Sequence, residues 1–309
     1  MGQAKTLTVT LETVTPLFLG GANPRDAPEL RAASMRGALR YWLRAASGGA
    51  IGDSNLAGLH ALEEAVFGST ARASPIAVQW LEVEGHSLSV TPEYILPHQQ
   101  LARRKAYTQG QLLMLRLRSI RGDDDTAWNM ACAAVGLATT FGGVGLRARR
   151  GYGTLRVMAA DPPIISATPS TLDRWKTHIA EVSSQALACA EALARAQAVP
   201  VASLPAGPAA YPCATGKGII RITELNPPVN SAMKAVVAFM KRVPVHRALG
   251  GITLRQASPL WVRPIQVEQR YELLLSVLAS RFPGADYAKV REVLDQFPGQ
   301  DMMVKGWNL

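Results

Sequence analysis

The chain has 309 residues, of which 33 are basic and 23 acidic, giving a net charge of +10 and a pI near 9.8. With 48% hydrophobic and 18% charged residues it has the composition of a folded chain long enough for two domains, which excludes a disordered tail or a small single core. The basic excess is mostly arginine and favours an anionic partner, and no apolar run reaches the roughly eighteen residues of a membrane span.

The first stretch, LTVTLET at 7–13, alternates with period two and predicts a half-buried strand. Because this alternation occupies the N-terminus in place of an apolar leader, a cytoplasmic location is expected. A turn rich in Gly, Asn, Asp and Pro follows at 20–28. A helix is predicted over 34–46, with Ser34 as its N-cap, Met35, Leu39, Trp42 and Leu43 on one face, and Gly48-Gly49 as its stop. A second helix over 56–67 precedes a strand over 76–83. The insertion 89–110 carries Arg103-Arg104-Lys105 in a long loop or hairpin, and a strand over 112–118 follows it.

After the polar turn RGDDDT come a helix over 127–140, the segment FGGVGLRARRGYG, and a strand over 153–158. Strand, helix, strand, strand, helix, strand is the βαββαβ order of a ferredoxin-like (RRM-like) domain with insertions. An alanine-rich helix over 171–198 and a Pro/Ala linker at 199–212 lead into a second such order. Its strands are predicted over 218–225, 260–267, 271–279 and 302–305, and its helices over 230–242 and 285–297. The fold class expected is α+β, two ferredoxin-like domains, over residues 1–160 and 214–309, joined by a helix and linker at 161–213.

FGGVGLRARRGYG places five glycines and three arginines in thirteen residues. Gly143-Val-Gly145-Leu-Arg-Ala148 meets the loose dinucleotide pattern G-x-G-x-x-G/A, but that pattern works only after a strand and at the start of a helix. Here the helix precedes and the strand follows, so the nucleotide reading fails on context. Two readings remain. In one, Gly142, Gly143 and Gly145 take positive φ, admit another backbone and offer N–H groups to an anion. Arg147, Arg149 and Arg150 then add charged donors and Tyr152 stacks on a base. In the other, the segment is a glycine cap and tight turn with solvated arginines. Helix 34–46 bears on the choice, because Arg36, Arg40 and Arg44 recur at four-residue spacing with no acidic partner on their own face, and Arg31 extends the row.

RAASMRGALRYWLRA after the first strand and GGVGLRARRGYGTL before the fourth together resemble the RAMP superfamily of CRISPR effector proteins. Within it they are similar to the first-subunit family of type III-B Cmr complexes. The matching pieces are TPLFLGG at 15–21, the helix motif at 31–42 and the glycine loop at 142–153. The resemblance implies a structural subunit that binds guide (CRISPR) RNA and target RNA near the 3′ end of the guide, beside other Cmr RAMP subunits, without cutting. It points to Arg31, Ser34, Arg36, Arg40 and Arg44 of the helix and to Gly143, Gly145, Arg147, Arg149, Arg150 and Tyr152 of the loop. Arg103, Arg104 and Lys105 join them on the RNA-binding side, while Trp42 and Leu39 belong to the core.

The alternative is a metal-independent endoribonuclease that processes guide RNA, as some relatives in that superfamily are. Such cleavage needs a group poised near neutral pH. The histidines are His60, His86, His98, His178 and His246, none inside either motif; His98, beside the basic run of the insertion, is the one to test, as a phosphate contact before a base. Asp123-Asp124-Asp125 stands where a helix begins, which capping explains without a metal. Cys132, Cys189 and Cys213 have no metal-ligand spacing and fit thiols in a reducing compartment. No cofactor is expected.

Overall fold

In a computed structural model of the protein, residues 4–21, 23, 26–120, 124–202, 209–214, 218–251, 256–281 and 286–303 are described. Strand β1 (Thr6–Thr13) buries Leu7, Val9 and Leu11 on one side, as its alternation requires. Helix α1 (Ala32–Ile51) and helix α2 (Leu56–Phe67) follow, then strand β2 (Ile76–Leu81). The insertion folds into a hairpin of β3 (Val90–Leu96) and β4 (Leu101–Tyr107). Strand β5 (Leu112–Ser119), helix α3 (Asp125–Phe141) and strand β6 (Leu155–Asp161) complete an antiparallel sheet in the order β2-β5-β1-β6. That order is the ferredoxin-like one, with the hairpin set between its second and third strands.

Helix α4 (Leu172–Ala196) packs on α3 and α1 and leads to the second set of elements. These are strand β7 (Ile219–Thr223), helix α5 (Ala232–Arg242), strands β8 (Leu260–Val267) and β9 (Arg270–Val277), helix α6 (Tyr287–Asp295) and strand β10 (Gly299–Met302). The sheet runs β10-β7-β9-β8, the same ferredoxin-like order again. The two sheets differ in their surroundings. Along β8, Leu260 and Val262 face α5 and α6, whereas Trp261, Ile265 and Val267 face the first half of the molecule. The second sheet is thus buried on both sides, and β8 and β9 read as nearly continuous apolar runs for that reason.

Several expected boundaries are corrected. Helix α1 begins at Ala32 with Arg31 as its N-cap, and Ser34 lies inside it. The helix also runs through Gly48-Gly49 and stops at Gly52, where φ is 76°. Gly48 is there for close packing, since a Cβ on it would stand 2.4 Å from the Cys213 Cβ. Strand β10 starts three residues before the expected 302, and Lys305 lies outside the described residues. Part of the Pro/Ala segment is also outside them; at its described ends Ala202 donates to the Ala50 carbonyl and Ala209 to that of Ala279.

Candidate nucleic-acid interface

The glycine loop links α3 to β6, and its N–H groups are largely taken by protein carbonyls. Val144 donates to Gly153, Leu146 to Phe18 and Gly153 to Pro16, at 2.9–3.0 Å. Of the three glycines expected to offer N–H groups to an anion, Gly142 gives its own to the Ala138 carbonyl at 3.1 Å, and the loop as a whole packs closely against neighbouring backbone. Gly142 is extended rather than left-handed (φ −105°). Gly145 is left-handed at φ +87°, and a Cβ there would fall 2.1 Å from the Phe18 carbonyl oxygen. At Gly143 a Cβ would meet the Tyr152 carbonyl oxygen at 2.7 Å.

Two of the three loop arginines turn inward, onto the second half of the molecule. Arg149 lies over the rings of Tyr41 and Trp261, 4.9 Å from each, and donates to the Ser258 carbonyl. Arg150 donates to the Leu249 carbonyl, and burial, with Arg147 and Arg149 close by, pushes its pKa down to about 10. Tyr152 is 1% exposed: its ring packs on Phe18 at 5.1 Å and its hydroxyl donates to the Tyr94 carbonyl at 2.6 Å. The ring is thus packed into the protein and not held open on the surface as base stacking was expected to require. Arg147 stands apart. It is a left-handed residue (φ 60°), half-buried, with its pKa lowered by burial.

Helix α1 divides in the same way. Arg44 donates to Glu63 at 2.7 Å, and Arg40 reaches the same carboxylate at 3.5 Å while donating to the carbonyls of Phe67 and Gly68 at 2.7 and 2.6 Å. The acidic partner missing from their own helix face is supplied by α2, so these two arginines cap and clamp α2. Arg31 is exposed, and Ser34 and Arg36 are half-buried at the other end of the helix.

The basic run of the insertion is its most open part. Arg103, Arg104 and Lys105 are all exposed on β4, and Arg103 lies 5.0 Å over the Tyr94 ring while donating to the Pro92 carbonyl. The hairpin is fastened at its base by reciprocal Leu17–Tyr107 backbone bonds of 2.9 and 3.1 Å. The Tyr107 hydroxyl adds a 2.7 Å bond to the Pro28 carbonyl, just ahead of α1. At its tip His98 comes near Arg147 and Lys241; burial first, then these two cations, lower its pKa. Lys234 and Lys241 of α5 face the hairpin and are not marked by any motif of the sequence. A signal for them does exist: 234, 237, 238 and 241 form one stripe of α5, opposite the buried stripe of Ala235, Val236 and Phe239.

The other candidates resolve locally. His60 and His86 are exposed, and His246 accepts from Ala248 N at 3.1 Å in its own turn. His178 is buried, 2.9 Å from the Thr140 hydroxyl, and burial followed by Arg263 brings its pKa down to about 4. Asp124 caps α3, accepting from Thr126 N and Ala127 N at 3.1 and 3.0 Å, and Asp125 pairs with Lys5. Burial raises the Asp124 pKa, but the bonds from Thr126 and Ala127 outweigh it and hold the carboxyl below its usual value. Asp123 lies outside the described residues. Among the described residues no cluster of His, Cys, Asp and Glu suited to a metal ion is found, and no helix is long and apolar enough to cross a membrane.

A family model described as the RAMP superfamily matches residues 10–156. The CRISPR system Cmr subunit Cmr1-2 of Pyrococcus furiosus is 30% identical over 174 residues, 48% of this chain and 92% of that protein. Cmr1-1 of the same organism is 26% identical over 174 residues, 50% of this chain and 48% of that one. In fold, the chain resembles the apo crystal structure of Cmr1 from Pyrococcus furiosus, with TM-score 0.69 and 19% identity, over 98% of this chain and 100% of that one. A chain in the cryo-EM structure of type III-B Cmr-beta bound to cognate target RNA gives TM-score 0.62 at 11% identity, over 95% and 99%.

Proposed function

The chain belongs to the RAMP superfamily, with Cmr1 subunits among its relatives, and from that premise we propose that it is an RNA-binding, non-catalytic subunit of a cytoplasmic type III-B Cmr effector complex. In this reading it sits at the 3′ end of the guide beside the other RAMP subunits and helps engage target RNA. The observation that carries RNA contact is the exposed Arg103-Arg104-Lys105 strand, reaching out on a hairpin towards Arg147, Lys234 and Lys241. Cations held open on a projecting ribbon suit a phosphate backbone, which they meet by charge and not by sequence. The test is recovery of the tagged full chain from cells expressing the Cmr subunits, with mass spectrometry and RNA sequencing of what accompanies it. Guide RNA and RAMP subunits are expected; their absence overturns the reading.

A second reading, metal-independent RNA cleavage, draws on one observation. His98 has a buried Nδ1 without a hydrogen-bond partner, beside two cations that favour its neutral, proton-accepting form. Incubating the chain with labelled guide precursor and target RNA decides it: cleavage that His98→Ala abolishes would replace the non-catalytic reading.

A further inference from the structure

A groove of about 450 Å³ opens between the β3–β4 hairpin and α5. Tyr94 and Pro97 form the hairpin wall, and Met233, Val237 and Ala238 form the helix wall. The buried Tyr152 closes the floor, and its hydroxyl on the Tyr94 carbonyl fixes the distance between floor and wall. The rim is cationic, with Lys234 and Lys241 on the helix and Arg103 over the Tyr94 ring. Arg147 lies close by, near the His98 that Lys241 also approaches. The one carboxylate in the lining is Glu93, which accepts from the Thr91 hydroxyl at 3.0 Å and stands opposite Arg104 in the hairpin ladder.

We propose that this groove holds one unpaired RNA nucleotide, its base against Tyr94 and the apolar stripe of α5, its phosphate on the cationic rim at Lys241. The inference rests on the reading of the chain as an RNA binder and names the unit it grips. An apolar slot with a cationic rim fits a group that is flat and apolar at one end and anionic at the other. Its size is within the roughly 300–1,000 Å³ of small-molecule sites, too little for a helix or a folded partner. A base inside a duplex has no free face to offer, so the groove selects single strands. Stacking and backbone charge supply the attraction, and neither distinguishes one base from another.

The experiment uses the full chain and fluorescence anisotropy with fluorescein-labelled single-stranded octaadenylate, an RNA duplex of equal length as comparison, and AMP as competitor. Ala238→Trp fills the slot from the helix side and Tyr94→Ala removes the stacking surface from the hairpin side, so each checks the other should one variant fold poorly. Each is expected to weaken octaadenylate binding about tenfold at an unchanged melting temperature. Lys241→Ala is expected to reduce the log–log salt slope by about 0.7. In the wild-type chain AMP displaces the RNA and the duplex binds more weakly. Octaadenylate bound equally well by wild type and both variants overturns the groove and leaves RNA binding by the hairpin intact. No binding by the wild-type chain, alone or within its complex, overturns both. Equal affinity for duplex and single strand also overturns the groove.

Discussion

Arginine in this chain serves two opposite ends, decided by what lies within a few ångströms of each side chain. Arg263 is 1% exposed within β8 and donates to the carbonyls of Gly142 and Leu155 at 2.9 and 2.6 Å; burial pushes its pKa down to about 9. A cation buried on carbonyl acceptors is strongly destabilising to truncate, and Arg263→Ala is expected to cost roughly 3–5 kcal/mol in urea unfolding. Arg149→Ala removes a guanidinium held over two rings and is expected to cost about 1–2 kcal/mol. His178 gives the chain an acid sensitivity. Its ordinary value of 6.5 applies in the unfolded chain and about 4 in the folded one, so the unfolded state binds the extra proton between these values. Stability is then full above pH 6.5 and falls as pH drops towards 4, by up to about 3 kcal/mol. Urea melts at pH 7, 5.5 and 4.5 check this, and His178→Gln should flatten the trend.

At the scale of elements, α1 and the hairpin illustrate how far pattern reading goes. The i, i+4 arginine row of α1 is legible in the sequence, but its partner, Glu63, belongs to α2, which no spacing within α1 reveals. Pattern alone marks Tyr152 as a base-stacking residue, because a tyrosine among arginines and glycines suits RNA. It is instead a strut that holds the hairpin in place through the Tyr94 carbonyl. Tyr152→Phe is expected to lower stability by about 1 kcal/mol through loss of that bond, measured by denaturant unfolding. The basic run 103–105 is legible as exposed charge, and the hairpin leaves it so. Changing all three to Ala should weaken RNA binding and lower the salt slope by about 0.7 for each phosphate that the chain ceases to neutralise, whereas Arg149→Ala and Arg150→Ala should act first on melting temperature.

The whole molecule is held together by a face of the second sheet that a lone ferredoxin-like unit leaves to solvent. Trp261 stands between Tyr41 and Trp42, at ring distances of 5.1 and 5.2 Å, and its Nε1 donates to the Tyr41 hydroxyl at 2.9 Å. Nearby, the Trp175 Nε1 donates to the Gln266 carbonyl at 2.9 Å. Because the apolar cluster of the first sheet continues onto β7, β8 and β9, the two sheets are expected to unfold in one calorimetric transition. Trp261→Ala should lower that transition by roughly 3–5 kcal/mol; two separate transitions in the wild type would contradict the shared core.

The ferredoxin-like order of both halves was legible in the amino-acid sequence, since period-two and period-3.6 patterns and turn residues are local properties of the chain. Two motifs, the arginine-bearing helix and the glycine loop, also pointed to the family. Which arginines remain free was decided by tertiary structure alone. A guanidinium is neutralised or solvated according to the carbonyls, rings and carboxylates around it, and for Arg149, Arg150 and Arg263 these come from about a hundred residues away in the chain. The groove between the hairpin and α5 arises in the same way: each wall was readable as an element, and their meeting was not.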